Sequence, residues 1–510
     1  MPTDQDHLER ATILDTAPPP GYRPAQITGL VLGPALATAM ILFLQPAGLD
    51  AAAWRTAAVG IWMAVWWMTE PVPIPATSLL PLVLFPVLGI GTMAQSASPY
   101  ANRLIFLFLG GFIIALAMQR WGLHRRIALN IIAFMGTRPS AIVFGFMAAS
   151  AVLSMWVSNT ATTLMMLPIG LSIVRLVPAG DGGPRVPGRN FAITLMLGIA
   201  YGSSIGGMAT LIGTPTNVFL VSYIEETYDY AIRFADWMKI GVPLLIVGLP
   251  LTHVALTRLV FPIRLQELPG GRALIRSELE GLGAITSPEK KVALVFALVA
   301  AMWIGQAWVE RLIPGISDTG IAIFGALLLF LIPVNFRKGE FVMNWDTAEK
   351  LPWGVLLLFG GGLSLADAVS RTGLAEWIGA QLAGVAAWPL PVLMLVVTGT
   401  IVMLTELTSN TATAAAFVPV VTALALGIGQ DPLLLAVPTV LGASCAFMLP
   451  VATPPNAIVY GSGFLTIPQM ARAGIVLNIL FILLITLLMT TIGPPLLGIE
   501  PGVVPPWATR

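Results

Sequence analysis

The chain has 510 residues, of which 56% are hydrophobic and only 10% are charged, and its formal net charge at pH 7 is +1. Soluble globular domains carry about a quarter charged residues, so this composition predicts an all-α polytopic membrane protein. The nearly neutral charge, without a dense basic cluster, argues against a nucleic-acid partner. The lone Cys445 and three scattered histidines leave no disulfide framework and no zinc site, and neither an enzyme nor a bound cofactor is expected.

The chain begins with a polar segment that is predicted to be a short cytoplasmic tail, residues 1–27. It is rich in proline and mixed in charge, and it lacks the basic region and cleavage site of a secretory signal. At the other end, residues 496–510 are predicted to form a C-terminal tail.

Eleven apolar stretches follow the N-terminal tail, each a candidate crossing of the roughly 30 Å hydrocarbon core. They are residues 27–44, 57–68, 74–90, 104–118, 191–208, 240–261, 292–309, 320–334, 355–369, 432–449 and 475–492. Two further apolar segments, residues 139–174 and 389–427, are predicted to enter the membrane as hairpins without crossing it.

The distribution of Lys and Arg predicts the orientation, because cytoplasmic loops carry an excess of both. With the N-terminus inside, the cytoplasmic side holds 19 of the 26 basic residues. The outer side then holds Arg55, Arg103, Arg233, Lys239, Arg311, Arg371 and Arg510. An odd number of crossings places the C-terminus outside.

The string Ser-Asn-Thr-Ala-Thr occurs twice, at residues 158–162 and 409–413, with an offset of 251 residues. The same offset relates further residues: Phe108, Ala115, Arg120, Gly122, Leu123 and Pro168 correspond to Phe359, Ala366, Arg371, Gly373, Leu374 and Pro419. The chain is therefore predicted to be duplicated. Because the first hairpin enters from the cytoplasmic side and the second from outside, the repeats are inverted, and we expect the hairpin tips to meet near the midplane.

A second matched pair of motifs predicts broken helices. Residues 213–217, Gly-Thr-Pro-Thr-Asn, correspond to residues 452–456, Ala-Thr-Pro-Pro-Asn, and Gly or Pro inside a spanning helix frees backbone groups. Interrupted segments at equivalent places in two halves of a transporter indicate its binding site. Hydroxyl, carboxamide and carbonyl oxygens suit a small hard cation, and helix N-termini suit an anion. The sequence thus predicts a site for sodium and an oxyanion.

A purely structural role is the alternative to a binding site. Small polar residues in membrane helices often serve only packing, as is expected of Gly110 with Gly111 and Gly206 with Gly207. Intramembrane carboxylates are functional by default, but Asp367 is more typical of a structural role. Glu406 fits a structural role and a functional role equally well. Duplication at a constant offset favours function for the two Ser-Asn-Thr motifs.

Two stretches resemble the signatures of the divalent anion:sodium symporter family. They are residues 443–459, Ala-Ser-Cys-Ala-Phe-Met-Leu-Pro-Val-Ala-Thr-Pro-Pro-Asn-Ala-Ile-Val, and residues 66–70, Trp-Trp-Met-Thr-Glu. With both hairpins, the resemblance covers about residues 28–495. It implies a homodimer surrounded by membrane lipid, in which each protomer moves a transport domain against a scaffold as an elevator.

The same resemblance implies domain boundaries and site residues. Scaffold helices and arms would be residues 28–138 and 263–388, and transport regions residues 139–262 and 389–495. Sodium site one would use Ser154, Ser158, Asn159 and Gly213; sodium site two would use Thr405, Thr408, Asn410 and Ala452. The substrate would meet Asn159, Thr160, Thr214, Pro215, Asn410, Thr411, Thr453 and Pro454. Thr408 is larger than the residue at this position in some members, so its hydroxyl either adds a ligand or crowds the site.

The function expected from the residues and the resemblance is sodium-coupled symport of a small dianion, a C4-dicarboxylate such as succinate, malate or fumarate, across a bacterial-type inner membrane. The alternatives within the class are a sodium-independent exchanger and a carrier of citrate or sulfate. A channel fits two-sided hairpins less well. An intramembrane hydrolase would need a base near Ser158 or Ser409, and His124 and His253 are placed elsewhere in the chain.

Overall fold

The computed structural model describes residues 23–46, 48–136, 138–176, 188–265, 267–268, 270–381 and 388–509. The predicted N-terminal tail therefore lies almost wholly outside the described residues. The described chain is built from helices with one small antiparallel hairpin of strands Pro333–Asn335 and Glu340–Phe341. This architecture confirms the predicted all-α membrane class.

The first half contains the α-helices Pro24–Phe43, Ala51–Thr69, Ile74–Thr77, Leu80–Val87, Met93–Ala97, Arg103–Arg120, Leu123–Met135, Pro139–Ser154, Asn159–Val174, Arg189–Gly207, Pro215–Tyr228 and Phe234–Val254. Short 3₁₀ turns lie at Ser98–Ala101 and Leu211–Gly213, and a π-helical end at Ala255–Val260.

The second half contains the α-helices Gly271–Gly281, Ser287–Ile304, Gln306–Leu312, Asp318–Leu331, Trp345–Ala348, Trp353–Arg371, Leu374–Gln381, Leu390–Thr405, Asn410–Gly427, Leu433–Ala443, Pro454–Tyr460, Ile467–Thr490 and Gly493–Leu497. Its 3₁₀ turns are Phe336–Lys338 and Pro506–Thr509.

Each of the eleven predicted apolar stretches includes a helix or a pair of helices, but not all are full-length crossings. Six described helices are long and apolar enough to span a membrane, and a seventh span results if Ser287–Ile304 and Gln306–Leu312, bent by 92°, count as one. The other apolar helices are shorter because the chain breaks them. A full crossing needs about 20 residues, so the breaks place irregular backbone at membrane depth.

The breaks occur at equivalent places in the two halves. The first hairpin consists of Pro139–Ser154 and Asn159–Val174, and the second of Leu390–Thr405 and Asn410–Gly427. The first broken helix consists of Arg189–Gly207 and Pro215–Tyr228, and the second of Leu433–Ala443 and Pro454–Tyr460. We call residues 208–214 the first unwound segment and residues 444–453 the second. Pro168 and Pro419 lie inside the second helix of each hairpin.

Glycine allows the backbones around these breaks to approach closely. A Cβ atom at Gly202 would lie 2.7 Å from the carbonyl oxygen of Met147, and one at Gly474 would lie 2.5 Å from the Met448 nitrogen. At the first contact the first broken helix packs on the first hairpin. At the second contact helix Ile467–Thr490 packs on the second unwound segment. Both contacts require a residue without a side chain.

The connecting helices Leu123–Met135 and Leu374–Gln381 begin at equivalent positions in the two repeats, 251 residues apart. Each follows a glycine in the left-handed region, Gly122 and Gly373, both with φ of 74°. The first of these helices is tied to the second half by Arg126, whose Nε lies 2.9 Å from Glu289 Oε1. Residues 382–387, near the end of the predicted scaffold and arm region 263–388, lie outside the described residues.

Candidate substrate and ion site

The tip of the first hairpin is closed by its own side chains. Ser154 Oγ donates to Asn159 Oδ1 at 2.5 Å, across the break between the two helices. Ser158 is the N-cap of the second helix, and its Oγ accepts from the Ala161 nitrogen at 3.3 Å. A serine N-cap satisfies a backbone donor that the helix leaves free. Three predicted site residues are thus brought together here.

The first unwound segment lies directly against that tip. A Cβ atom added at Gly207 would lie 3.0 Å from Asn159 Nδ2, so this carboxamide packs on bare backbone. A Cβ at Gly213 would lie 2.9 Å from Gly207 Cα. Asn159 therefore lies against Gly207, and Gly207 lies against Gly213, so the hairpin tip and the Gly213 backbone are close neighbours.

Asn217 fixes the curvature of the first unwound segment. Its side chain is fully buried, and Nδ2 donates to the carbonyl oxygens of Gly207 at 3.2 Å, Met208 at 3.4 Å and Thr210 at 2.8 Å. Backbone carbonyls at a helix break must find donors. The two amide protons of Asn217 are shared among these three oxygens, and Trp237 Nε1 also donates to the Met208 carbonyl oxygen at 3.0 Å. Side-chain donors therefore hold the backbone of this break.

The second half repeats both arrangements. Thr405 Oγ1 lies 2.8 Å from Asn410 Oδ1 and 2.8 Å from the carbonyl oxygen of Ala443, two acceptors for its single proton. Asn456 Nδ2 donates to the carbonyl oxygens of Ala446 and Leu449, both at 3.0 Å. Thr405 and Asn410 stand 251 residues after Ser154 and Asn159, so the same side-chain pair closes each tip.

Thr408 uses its hydroxyl inside the hairpin. Its Oγ1 lies 3.0 Å from the carbonyl oxygen of Leu404 and 2.6 Å from Thr413 Oγ1. The hydroxyl is therefore engaged by its own helices. Ala452, the fourth residue of the implied sodium site two, is buried at the end of the second unwound segment.

The two halves meet through their broken helices. Thr216 Oγ1 lies 2.8 Å from Ser444 Oγ, which follows the Ala443 carbonyl bound by Thr405. The Tyr201 hydroxyl donates to the carbonyl oxygen of Phe447 at 2.6 Å. Helix Asn159–Val174 packs on Pro454–Tyr460, and Asn410–Gly427 packs on Pro215–Tyr228. Each hairpin thus contacts the broken helix of the other half.

Four helix N-termini lie within this crossed packing. They begin at Asn159, Pro215, Asn410 and Pro454, and the N-cap residues Thr214 and Thr453 are buried. Thr160 and Thr411 are the second residues of the hairpin helices and are partly exposed. Helix N-termini present free N–H groups and a positive dipole end, which together attract an anion.

Glu406 is a buried carboxylate beside the second tip. Its oxygens accept from the backbone nitrogens of Phe447 at 2.8 Å, Met448 at 2.9 Å and Leu449 at 3.1 Å. Asn478 Nδ2, on helix Ile467–Thr490, donates to it at 2.8 Å. The carboxylate joins the second hairpin, the second unwound segment and helix Ile467–Thr490, which gives it a role in holding backbone.

The sequence interpretation missed Asn217, Asn456 and Gly207 as site residues. The asparagines belong to the matched motifs, at an offset of 239 residues, but the sequence interpretation assigns them only to a helix break. Both bonds that Asn456 makes have a counterpart at Asn217 under that offset. Two buried carboxamides at one internal offset would have identified them.

Comparison with known proteins finds similarity over nearly the whole chain. Residues 25–499 match the family described as sodium:sulfate symporter transmembrane region. The sodium-dependent dicarboxylate transporter SdcS of Staphylococcus saprophyticus is 44% identical over 486 residues, covering 94% of this chain and 93% of that protein. The transporter of the same name from Staphylococcus aureus strain USA300 is 43% identical over 487 residues, with the same coverage.

Two solved structures share the fold. The YdaH transporter of Alcanivorax borkumensis superposes with a TM-score of 0.57 at 14% identity, covering 92% of this chain and 98% of that chain. MtrF of Neisseria gonorrhoeae, from a class of antimetabolite efflux pumps, superposes with a TM-score of 0.55 at 13% identity, covering 98% and 100%. At this identity the likeness concerns the helical transporter fold alone.

Proposed function

The chain belongs to the sodium:sulfate symporter transmembrane-region family, and on this premise we propose that it carries C4-dicarboxylates across a membrane together with sodium ions. Relatives named sodium-dependent dicarboxylate transporters, 43–44% identical over 94% of the chain, support this substrate class. The observation that carries the proposal is the repeated tip geometry, in which Ser154 with Asn159 and Thr405 with Asn410 lie beside unwound backbone.

We assign one sodium ion to each tip. Ser154, Ser158, Asn159 and the Gly213 carbonyl form site one, and Thr405, Thr408, Asn410 and the Ala452 carbonyl form site two. Sodium is a hard cation that prefers such oxygen ligands. Because the Thr408 hydroxyl is bound inside its hairpin, Thr408 contributes through its backbone.

The dianion is placed between the tips, against helix N-termini. Its contacts would be Asn159, Thr160, Asn410 and Thr411 from the hairpins, and Thr214, Pro215, Thr453 and Pro454 from the broken helices. No Arg or Lys lies in these motifs. A dianion leaving water is strongly disfavoured unless its charge is balanced, and two sodium ions balance it. Coupling then follows from electrostatics, because the anion site forms only when sodium is bound.

Ion pairs between distant parts of the chain support the proposed sidedness. Arg125 pairs with Glu278 and Arg126 with Glu289, and all four groups are on the predicted cytoplasmic side. Arg103 pairs with Glu225 at the predicted outer side. Together with the excess of basic residues, this favours an inner-membrane protein with its N-terminus in the cytoplasm and its C-terminus outside.

Movement is proposed to occur between residues 28–138 with 263–388 as scaffold and residues 139–262 with 389–495 as transport region. Both hairpins and both broken helices fall in the transport region, so the whole site would move as one body. The chain is proposed to work as a homodimer, because a scaffold that is held by a second copy gives the moving region a fixed reference.

The decisive experiment is uptake of radiolabelled succinate into proteoliposomes. We expect accumulation when sodium is outside and potassium inside, and none when potassium replaces the outer sodium. Saturation with succinate separates a carrier from a channel. Uptake that needs internal succinate but no sodium would instead establish an exchanger and reject symport.

Competition then defines the substrate class. Unlabelled malate and fumarate should reduce succinate uptake, because they share its length and two carboxylates. Citrate or sulfate that competed more strongly than malate would contradict the C4-dicarboxylate assignment while leaving sodium coupling intact.

A further inference from the structure

A basic cleft lies outside the substrate site, among the ends of three helices. It has a volume of about 490 Å³ and is formed by the start of Arg189–Gly207, the end of Ala255–Val260 and the start of Ile467–Thr490. Its polar lining consists of Arg189, Asn190, Gln469 and Arg472, and among the described residues no carboxylate lines it. The remaining lining is apolar.

The two arginines give the cleft its chemistry. Both side chains are exposed, and neither takes part in the ion pairs formed among the described residues. Gln469 Oε1 accepts from the Thr466 nitrogen at 2.9 Å, and Asn190 Nδ2 donates to the carbonyl oxygen of Pro262 at 2.9 Å, so both amides are held in place. Two guanidinium groups facing one cavity match the oxygen atoms of a phosphate.

An apolar stripe continues from the cleft along helix Ile467–Thr490. Ile475, Ile479, Leu483 and Leu487 are 36%, 52%, 55% and 59% exposed. With 100° per residue, these four positions lie on the same face as Arg472. A charged residue above a row of exposed aliphatic side chains matches a lipid, whose phosphate lies at the surface and whose acyl chains run down the helix. Free phosphate would make no use of this stripe.

We propose that the cleft binds the phosphodiester headgroup of an anionic phospholipid, with Arg189 and Arg472 on either side of the phosphate. Both arginines are on the predicted cytoplasmic side, so the lipid belongs to the inner leaflet. Basic pockets between helices on this side are suited to anionic headgroups. If the proposed transport region moves, the cleft moves with it, and a bound headgroup favours the position in which the arginines reach the membrane surface.

The test measures lipid retention on the purified full-length protein, which does not require transport. Protein is reconstituted in nanodiscs or mixed micelles with phosphatidylglycerol and phosphatidylcholine, and the bound lipid is counted by native mass spectrometry. We expect preferential binding of phosphatidylglycerol. Arg189→Gln and Arg472→Gln should each weaken this preference about fivefold, since a basic residue near an anionic surface contributes on the order of that factor. Arg337→Gln, an exposed arginine away from the cleft, is the matched control.

Three results would overturn the proposal: equal retention of both lipids by the wild type, unchanged preference in the double variant, or inorganic phosphate displacing the lipid at millimolar concentration. The last result would identify free phosphate as the ligand. The two substitutions are at exposed positions, and a size-exclusion profile and helical content equal to those of the wild type verify that each variant is folded. Failure here would leave sodium-coupled uptake untouched, so the two proposals fail separately.

Discussion

In the first hairpin the residue after Ser154 is Met155, whereas in the second the residue after Thr405 is Glu406, although the two positions are equivalent under the 251-residue offset. The Met155 carbonyl accepts from Thr210 Oγ1 in the first unwound segment. At the second tip a carboxylate accepts three backbone N–H groups and one carboxamide. The first contact is neutral, and the second carries a negative charge.

This difference shows that each repeat has two separate structural tasks, which are to close the hairpin tip and to hold the unwound backbone. Closing a tip with a hydroxyl and a carboxamide is common to both halves and defines the proposed ion ligands. The unwound backbone is held differently in the two halves. In the first segment, side-chain donors bind carbonyl oxygens. In the second segment, the Glu406 carboxylate also accepts from backbone N–H groups. A buried carboxylate near site two also attracts a cation, because electrostatic interactions are strong in a low dielectric. The two halves therefore close their tips with the same kinds of side chain, but they differ in the charge beside the tip.

The largest effects are expected from removing the shared ligands, Asn159→Ala and Asn410→Ala. Hydrogen bonds and ligands to charged groups contribute about 1.5–3 kcal/mol, so uptake at subsaturating sodium should fall about 10- to 150-fold. Radiolabelled succinate uptake measures this loss. Equal losses would show that the tips are functionally equivalent.

Asn130→Ala is the control for both variants, because the Asn130 side chain is exposed and, within the described part of the chain, bonds only to the Arg126 carbonyl in its own helix. Size-exclusion profiles and helical content should match the wild type in all three. Wild-type uptake by either tip variant would remove that residue from the site.

Glu406→Gln should remove the negative charge beside the second tip and so make the two halves alike in charge. Glutamine presents a donor where the carboxylate accepts, so one backbone N–H of residues 447–449 loses its partner, at a cost of about 1–3 kcal/mol. We expect the sodium concentration for half-maximal uptake to rise, while the maximal rate at high sodium changes less. Sodium titrations of succinate uptake measure both.

Met155→Leu is the matched variant at the equivalent position, and its sodium dependence should stay at the wild-type value because only its backbone carbonyl is used. Glu280→Gln, in a surface ion pair with Arg276, controls for loss of a carboxylate. An unchanged sodium titration for Glu406→Gln would show that the charge at the second tip is irrelevant to ion binding.

Asn217→Ala and Asn456→Ala test the backbone clamps. Each Nδ2 has two protons, which Asn217 shares among three carbonyl oxygens and Asn456 donates to two. The two residues differ at the amide oxygen, because Asn217 Oδ1 accepts from Thr216 Oγ1 at 3.5 Å, whereas the buried Asn456 Oδ1 has no hydrogen-bond partner among the described residues. Each substitution should lower the free energy of unfolding by about 1–3 kcal/mol, and Asn217→Ala more than Asn456→Ala. Thermal unfolding in detergent measures the order, and a larger loss for Asn456→Ala would contradict it.

Much of this arrangement was predictable from sequence because it depends on local chemistry and repetition. The exact offset between Ser158 and Ser409 predicted two hairpins, and proline after Thr214 and Thr453 predicted the helix breaks. Both follow from which residues a helix tolerates, so no knowledge of tertiary contacts was needed.

What could not be predicted were the partners that distant segments supply. Glu406 fitted a functional role and a structural role equally well, and only the folded chain shows the nitrogens of residues 447–449 around it. Eleven apolar stretches are predicted as crossings, yet six described helices, or seven if the bent pair counts as one, are long and apolar enough to span a membrane. The sequence places Asn217 in a helix break, and only the folded chain shows the three carbonyl oxygens around its side chain.

The smallest effect is expected at a contact that only the first half possesses. Arg103 pairs with Glu225 and joins the proposed scaffold to the transport region, whereas the equivalent of Arg103 in the second half is Gly354. Arg103 is half exposed, so the pair contributes no more than about 1 kcal/mol. Arg103→Gln and Glu225→Gln should each change the uptake rate by no more than about fivefold, without moving the sodium dependence. Because both remove the same pair, the double variant should equal either single variant, and Arg276→Gln should have no effect. Additive losses in the double variant would mean that the two groups act separately and that no such contact opens during transport.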